Sequence, residues 1–279
     1  MSTGMELSDS VLDHLRHVGS LPDLTGTRYE LESEIGRGGL GIVYAALDRE
    51  LGRRVAFKVM DSALAGEAQL IARLEHPAIV PVYEAGALPD RRSFYAMKLV
   101  AGTRLDHYLA GSPSLAELLR VVRRVGEALA YAHSRGVIHR DLKPQNIMVG
   151  EFGEVYVMDW GVEGVAGTPR FRAPEARLDQ RSDIYALGAL IEFVLPASAP
   201  RAIRAIASKA KSVEPAARYP DAQALLADIE RFQEGRAVDA WAEPVWHRLW
   251  RFASRNAVIL WLLVAYIAVK FLLFFLRAF

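Results

Sequence analysis

A glycine-rich run, Gly36-Arg37-Gly38-Gly39-Leu40-Gly41-Ile42-Val43, lies between two strand-like segments, Tyr29 to Ile35 and Val43 to Leu47. That order restricts the fold more than any other stretch of the chain. Glycines spaced as GxGxxG let backbone amides approach phosphates closely, a device shared by unrelated nucleotide-binding folds. In a dinucleotide fold the run opens a helix, with an acidic residue some twenty positions later. Here a second strand follows instead, which predicts a β-hairpin whose turn is a phosphate-covering flap. The next strand-like run carries Val55-Ala56-Phe57-Lys58, and so brings an ammonium group within reach of α- and β-phosphates.

Lys58 needs an anionic partner to hold it, and Glu67, in the helical stretch Ala63 to Leu74, is the best candidate; Glu75 sits nearer the helix end. Phe94 to Val100 reads as a strand leading to Ala101-Gly102, a connector between two lobes, with backbone groups around Lys98 and Val100 facing adenine. Ser114 to Ser134 has amphipathic helical spacing and delivers the chain to His139-Arg140-Asp141-Leu142-Lys143-Pro144-Gln145-Asn146. This run sets a carboxylate, an ammonium and a carboxamide in one short loop, and phosphoryl transfer uses all three: a proton acceptor, a charge neutraliser and a metal ligand. Eighteen positions after Asp141, Asp159 ends a short apolar strand beside Gly161, where a carboxylate suits a magnesium ion bridging phosphates.

Gly167-Thr168-Pro169, Ala173-Pro174-Glu175 and Ser182-Asp183-Ile184-Tyr185-Ala186-Leu187-Gly188 follow in order. From Tyr29 to about Gly235, roughly three quarters of the chain, the sequence resembles a bacterial Hanks-type, eukaryotic-like serine/threonine protein kinase. The resemblance implies an α+β, bilobal kinase fold, with a small β-rich lobe at 29–100 and a larger helical lobe at 101–235. It implies ATP and Mg²⁺ (or Mn²⁺) as cofactors and protein Ser/Thr hydroxyls as substrates. Asp141 would be the catalytic base, Lys143 a phosphate contact, and Asn146 and Asp159 the metal ligands. Lys58 and Glu67 would form the inter-lobe ion pair, and Thr168 would brace Asp141. Ile35, Gly36, Arg37, Gly38, Gly39, Leu40, Gly41 and Ile42 would cover the nucleotide, with Val43, Ala56, Met97, Val100 and Met148 along the adenine slot. Glu175 and Arg218 resemble a structural ion pair of the activation segment, and Asp183 would hold the backbone of the catalytic loop.

Several positions depart from the family pattern. Trp160 stands where phenylalanine is usual, a larger ring beside the metal-binding aspartate. Residues Val162 to Ala166 contain no Ser, Thr or Tyr, so Arg140 has no phosphoacceptor there to meet, and Glu163 is the candidate substitute. Only 35 positions separate Asp183 from Arg218 (218 − 183), and Pro196-Ala197-Ser198-Ala199-Pro200 replaces an extra helix with its loops. Glu67 follows Lys58 by only nine positions, so that pairing calls for a supporting partner.

The rest of the chain sets its surroundings. With 34 basic and 33 acidic side chains the charges nearly cancel, which speaks against nucleic acid as a partner. The absence of cysteine removes disulfides, thiolate nucleophiles and Cys-based zinc sites, and the seven histidines show no HExxH spacing. Residues 1–28, a mixed polar extension, lack the layout of a signal peptide. From Ala257 to Leu276, 20 residues carry one charge, Lys270, and apolar side chains cover every helical face, which predicts a transmembrane helix. In the juxtamembrane segment 236–256, Trp246, Leu249, Trp250 and Ala253 share one helical face and Arg248, Arg251 and Arg255 the opposite one, as suits a membrane-lipid interface. The arginines precede the span, so the positive-inside tendency predicts a single-pass protein of the cell membrane with residues 1–256 in the cytoplasm. A membrane-embedded or cytoplasmic regulator would then supply control. The alternative is a nucleotide-binding pseudokinase scaffold that signals by contact.

Overall fold

The computed structural model describes residues 21–38, 41–60, 71, 73–160, 169–176, 178–244, 261–262 and 265–270. Five antiparallel strands form the first sheet in the order β1-β2-β3-β5-β4: β1 (Tyr29–Gly38), β2 (Gly41–Asp48), β3 (Arg53–Met60), β4 (Val82–Ala87) and β5 (Ser93–Lys98). Strand geometry sends alternate side chains to opposite faces, and β3 and β5 are apolar on both. Val55, Phe57 and Val59 pack with Tyr29, Tyr44, Phe94 and Ala96 on the outer face, where the Phe57 and Phe94 rings stack 4.7 Å apart. Ala56, Met60, Tyr95 and Met97 fill the inner face. Lys58, between Ala56 and Met60 in that alternation, is therefore carried inward and buried. The register sets it opposite Tyr95, and sets Ala56 opposite Met97.

The hairpin is longer than the glycine content predicts. β1 runs past Ile35 and pairs through Gly36 and Arg37 to Gly38, which faces Gly41 across the ladder. A side chain at Gly41 is excluded twice over, by a φ of +130° and by the Val59 carbonyl oxygen, which would lie 2.0 Å from a Cβ.

The second lobe begins with β6 (Gly102–Arg104) and α1 (Leu105–Tyr108), followed by α2 (Leu115–Ser134). Ser114 caps α2: its Oγ accepts from the Glu117 N–H at 3.3 Å and its own N–H donates to the Glu117 carboxylate at 2.7 Å. β7 (Ile147–Gly150) and β8 (Val155–Val157) complete a three-stranded sheet with β6. The far edge of β8 meets the segment before β4, where the Val157 N–H donates to the Ala78 carbonyl at 2.8 Å. α3 (Gln180–Val194) is the central helix, with Ile184, Leu187, Leu190 and Ile191 buried in the main core. α4 (Arg201–Ala210) follows after residues 195–200 alone and packs so near that a Cβ on Gly188 would lie 2.6 Å from Ala210 Cβ. The shortening expected at Pro196 to Pro200 thus leaves α4 directly against α3.

α5 (Ala222–Gln233) carries Asp228, whose carboxylate is wholly buried. It accepts from the Tyr219 hydroxyl at 2.7 Å and from the Asp239 and Ala240 N–H groups at 2.6 and 3.0 Å. This fastens the chain leaving α5 back onto the lobe, and Ala240 and Trp241 pack on the core beside it. Residues 245–260, which hold the expected amphipathic segment, lie outside the described residues. Of the expected span, residues 261–262 and 265–270 are described; they are helical and exposed. Among the described residues no helix is long and apolar enough to cross a membrane.

Asp228→Ala leaves the buried Tyr219 hydroxyl and the part-buried Asp239 and Ala240 N–H groups without their acceptor and is expected to cost about 1–3 kcal/mol of stability, measured by chemical denaturation. Amide exchange at Asp239 and Ala240 should accelerate in the same variant; unchanged protection there would overturn the fastening role.

Candidate active site

The loop between α2 and β7 hangs from one buried carboxylate. Asp183, in the first turn of α3, accepts from the His139 N–H at 2.8 Å and the Arg140 N–H at 3.0 Å, and lies 2.8 Å from His133 Nε2. These bonds hold Arg140 at φ +70°, a left-handed conformation uncommon for a side chain of that size. The His139 ring is buried, and burial pushes its pKa down. Its Nδ1 accepts from the Asp141 N–H at 3.3 Å, as a neutral imidazole can. Past that turn Lys143 Nζ donates to Asp141 Oδ2 at 2.6 Å. Asn146 Nδ2 donates to the Asp141 carbonyl at 2.8 Å and to its Oδ2 at 3.3 Å, which turns the carboxamide oxygen away from Asp141. The three polar groups that the sequence sets in one run are thus joined.

Asp159 follows β8 at φ +55°, a second left-handed residue at the site. Lys58 Nζ lies 2.8 Å from its Oδ1 and bridges the two lobes. Burial pulls the Lys58 pKa down, but the adjacent carboxylate outweighs it and the group stays charged, with a net upward shift. The Met158 N–H donates to the Asn146 backbone carbonyl at 2.9 Å, so the Asp159 strand end and the Asp141 loop are fixed to each other. Trp160 points into the core; its indole N–H donates to the Val157 carbonyl at 3.0 Å and its ring centroid lies 4.7 Å from that of His139. The larger ring fits by bonding its own strand.

Among the described residues no three His, Cys, Asp or Glu side chains cluster as a metal cage. Asp159 and Asn146 instead offer one carboxylate and one carboxamide, oxygen donors of the kind Mg²⁺ uses when phosphates complete its shell. Beside them Val43, Ala56, Met97, Val100 and Met148, the expected slot residues, join one apolar cluster. Tyr156 and Met158 belong to it as well and were not anticipated. Tyr156 stands opposite Met148 across the β7–β8 ladder, but in the sequence a tyrosine near a polar motif carries no distinctive signal. Of the backbone groups around Lys98 and Val100, the Lys98 N–H is taken by the Pro81 carbonyl at 3.0 Å.

A model of the protein kinase domain family matches residues 29–215. The chain belongs to the protein kinase family. Similar proteins include serine/threonine-protein kinase PknD of Protochlamydia amoebophila, 29% identical over 299 residues, covering 75% of this chain and 30% of that protein. DNA damage-responsive serine/threonine-protein kinase RqkA of Deinococcus radiodurans is 37% identical over 206 residues, 63% of this chain and 31% of its own. Serine/threonine-protein kinase PknL of Mycobacterium tuberculosis is 33% identical over 278 residues, 79% and 69% respectively. The chain thus spans less than a third of the first two and about two thirds of the last.

In this kinase fold Arg218 and Glu175 pair in two parallel bonds of 2.7 and 2.8 Å. The Arg218 side chain is buried and also donates to the Ser212 and Arg181 carbonyls at 2.7 and 2.9 Å. The guanidinium lowers the Glu175 pKa. Gly39, Leu40, Glu67 and Thr168 lie outside the described residues, as does Glu163. The described carboxylate partner of Lys58 is Asp159.

Asp183→Asn replaces one acceptor oxygen by an amide that faces N–H donors, and is expected to lower stability by at least about 2 kcal/mol in denaturant titration. Because the folded Glu175 pKa is depressed, its stabilising contribution is complete above the ordinary value of 4.5 and is lost as pH falls through the lower folded value. Unfolding free energy should therefore fall less steeply in Glu175→Gln as pH drops from about 4.5 through the lower folded value; parallel curves would contradict the pairing.

Proposed function

We propose that the chain is a membrane-anchored, ATP-dependent protein serine/threonine kinase. The observation that carries this reading is the joining of Asp141, Lys143 and Asn146 in one hydrogen-bonded loop facing the Lys58–Asp159 pair. In this reading residues 29–235 are the catalytic domain, Asn146 and Asp159 hold Mg²⁺ or Mn²⁺, and the apolar cluster from Val43 to Met148 receives adenine. The metal, when bound, neutralises charge on the phosphates. Asp141 accepts the proton of the substrate hydroxyl as its oxygen bonds to the γ-phosphorus; the bond to the β-phosphate oxygen breaks and ADP leaves with those electrons. Lys143, already 2.6 Å from Asp141, neutralises charge on the moving phosphoryl group.

Anchoring by residues 257–276 is supported by the single charge in that run and by the exposure of Trp261, Leu262, Tyr266, Ile267 and Val269, apolar surface that lipid would cover. Protein substrates are then selected largely by shared location on the cytoplasmic face, with the basic segment before the span meeting anionic lipid. Control comes through the membrane or a cytoplasmic regulator.

Radiolabel transfer from ATP to the chain itself or to a generic basic protein is the direct test. Asp141→Asn, Lys58→Met and Asp159→Ala are each expected to lower transfer by roughly three orders of magnitude or more with the fold retained by circular dichroism. Nucleotide binding without transfer by the wild type would favour the scaffold reading. Deletion of residues 257–279 should move an otherwise competent domain into the soluble fraction, and recovery only from aggregates would refute the anchor.

A further inference from the structure

Lys98 is the last residue of β5, immediately before the connector to the second lobe, and its side chain crosses to that lobe. Its Nζ lies 2.5 Å from the Tyr156 hydroxyl and 4.6 Å from the centre of the Tyr156 ring. Tyr156 is the middle residue of β8, opposite Met148 of β7, and is buried in the apolar cluster that also holds Ala56 and Met97. One ring therefore forms part of the cleft wall while its hydroxyl grips the hinge. The same β8 strand leads to Asp159 three positions on. Lys98 is anchored at its backbone as well, through the Pro81 carbonyl and its place opposite Val55. The clasp thus joins a sheet edge to the strand that leads to the Lys58 partner, beside the apolar cluster that holds Met97 and Met148. The phenolic oxygen, as acceptor, also raises the Lys98 pKa and keeps the ammonium charged.

We infer that Lys98 and Tyr156 are positioning residues for nucleotide: their bond across the hinge fixes the width of the adenine slot and so tunes ATP affinity. The inference rests on the kinase reading above. A clasp outside the reacting atoms stabilises bound nucleotide without being needed for the transfer itself, so its loss should act on binding before turnover. It should also act as one unit, because either partner alone makes no bond.

The test uses the whole 279-residue chain in detergent micelles, with ATP–Mg²⁺ affinity measured by calorimetry beside KM and kcat for ATP. Tyr156→Phe keeps the ring and removes the acceptor; Lys98→Met keeps the stem and removes the donor. Each is expected to weaken ATP binding about 3- to 10-fold and to raise KM more than it lowers kcat. The double variant should match the singles, and Lys98→Arg, which retains a donor, should stay near wild type. Unchanged affinity in both single variants, additive losses in the double, or a lowered melting temperature of nucleotide-free protein with unchanged affinity would each overturn the clasp. A wild type that binds ATP but transfers no phosphate would sink the enzymatic reading while the affinity comparison still decides the clasp; a wild type that binds no ATP would overturn both.

Discussion

The buried carboxylate of Asp183 is the constraint on which the site depends. A carboxylate removed from water must recover its lost solvation from fixed donors, and here the donors are two consecutive backbone N–H groups, with the His133 ring beside them. That requirement dictates the path of the chain between α2 and β7. It bends the backbone through the left-handed conformation of Arg140 and delivers Asp141 at the mouth of the cleft. The cost of the strained residue is offset within the same network, as expected where surrounding structure over-determines a turn. Because Asp183 stands in the first turn of the most buried helix, the loop inherits the rigidity of the core.

The other half of the site is fixed by a sheet with two buried faces. Surface hairpins usually leave one face to water, whereas β3 and β5 alternate apolar residues on both sides. The outer face builds the aromatic core of the small lobe around Phe57 and Phe94, and the inner face becomes the ceiling of the cleft. A one-residue slip of β3 would exchange Phe57 with Lys58 and put a charge among those aromatic rings. Register therefore secures the position of Lys58 as firmly as any direct contact does. The second lobe answers with β8, held by β7 on one edge and by Ala78 on the other, so the strand leading to Asp159 is pinned on both sides.

Much of this was legible from residue order. Strand-like apolar runs marked β3 and β5, and amphipathic spacing marked α2. The loop from His139 to Asn146 could be read because its chemistry is local, with partners within five positions of one another. The Glu175–Arg218 and Asp183 contacts join residues some 43 positions apart and were accessible only through family resemblance. Contacts that neither route reaches are those whose residue types are unremarkable. Tyr156, Lys98 and Asp228 each look like ordinary strand or helix residues, and only the fold brings their polar ends to a partner. β4 was also missed, since Val82-Tyr83-Glu84-Ala85-Gly86-Ala87 has weak alternation and an exposed face. Its pairing is imposed by β5, not by its own pattern.

The charges of the cleft cancel in pairs, and that arrangement has a consequence for what can enter. Lys58 is matched to Asp159, and Lys143 to Asp141. A phosphate arriving alone must take Lys58 from its carboxylate, and a cation arriving alone must take Asp159 from its ammonium. Either exchange leaves one charge without its partner, and the cost is greater for the buried Lys58 than for Asp159, which water partly reaches. When anion and cation arrive together, each stranded group acquires the other's counter-charge and the penalty largely vanishes. The ion pair thus favours a nucleotide already carrying its metal over either component alone, a selectivity that arises from mutual neutralisation and needs no dedicated metal cage.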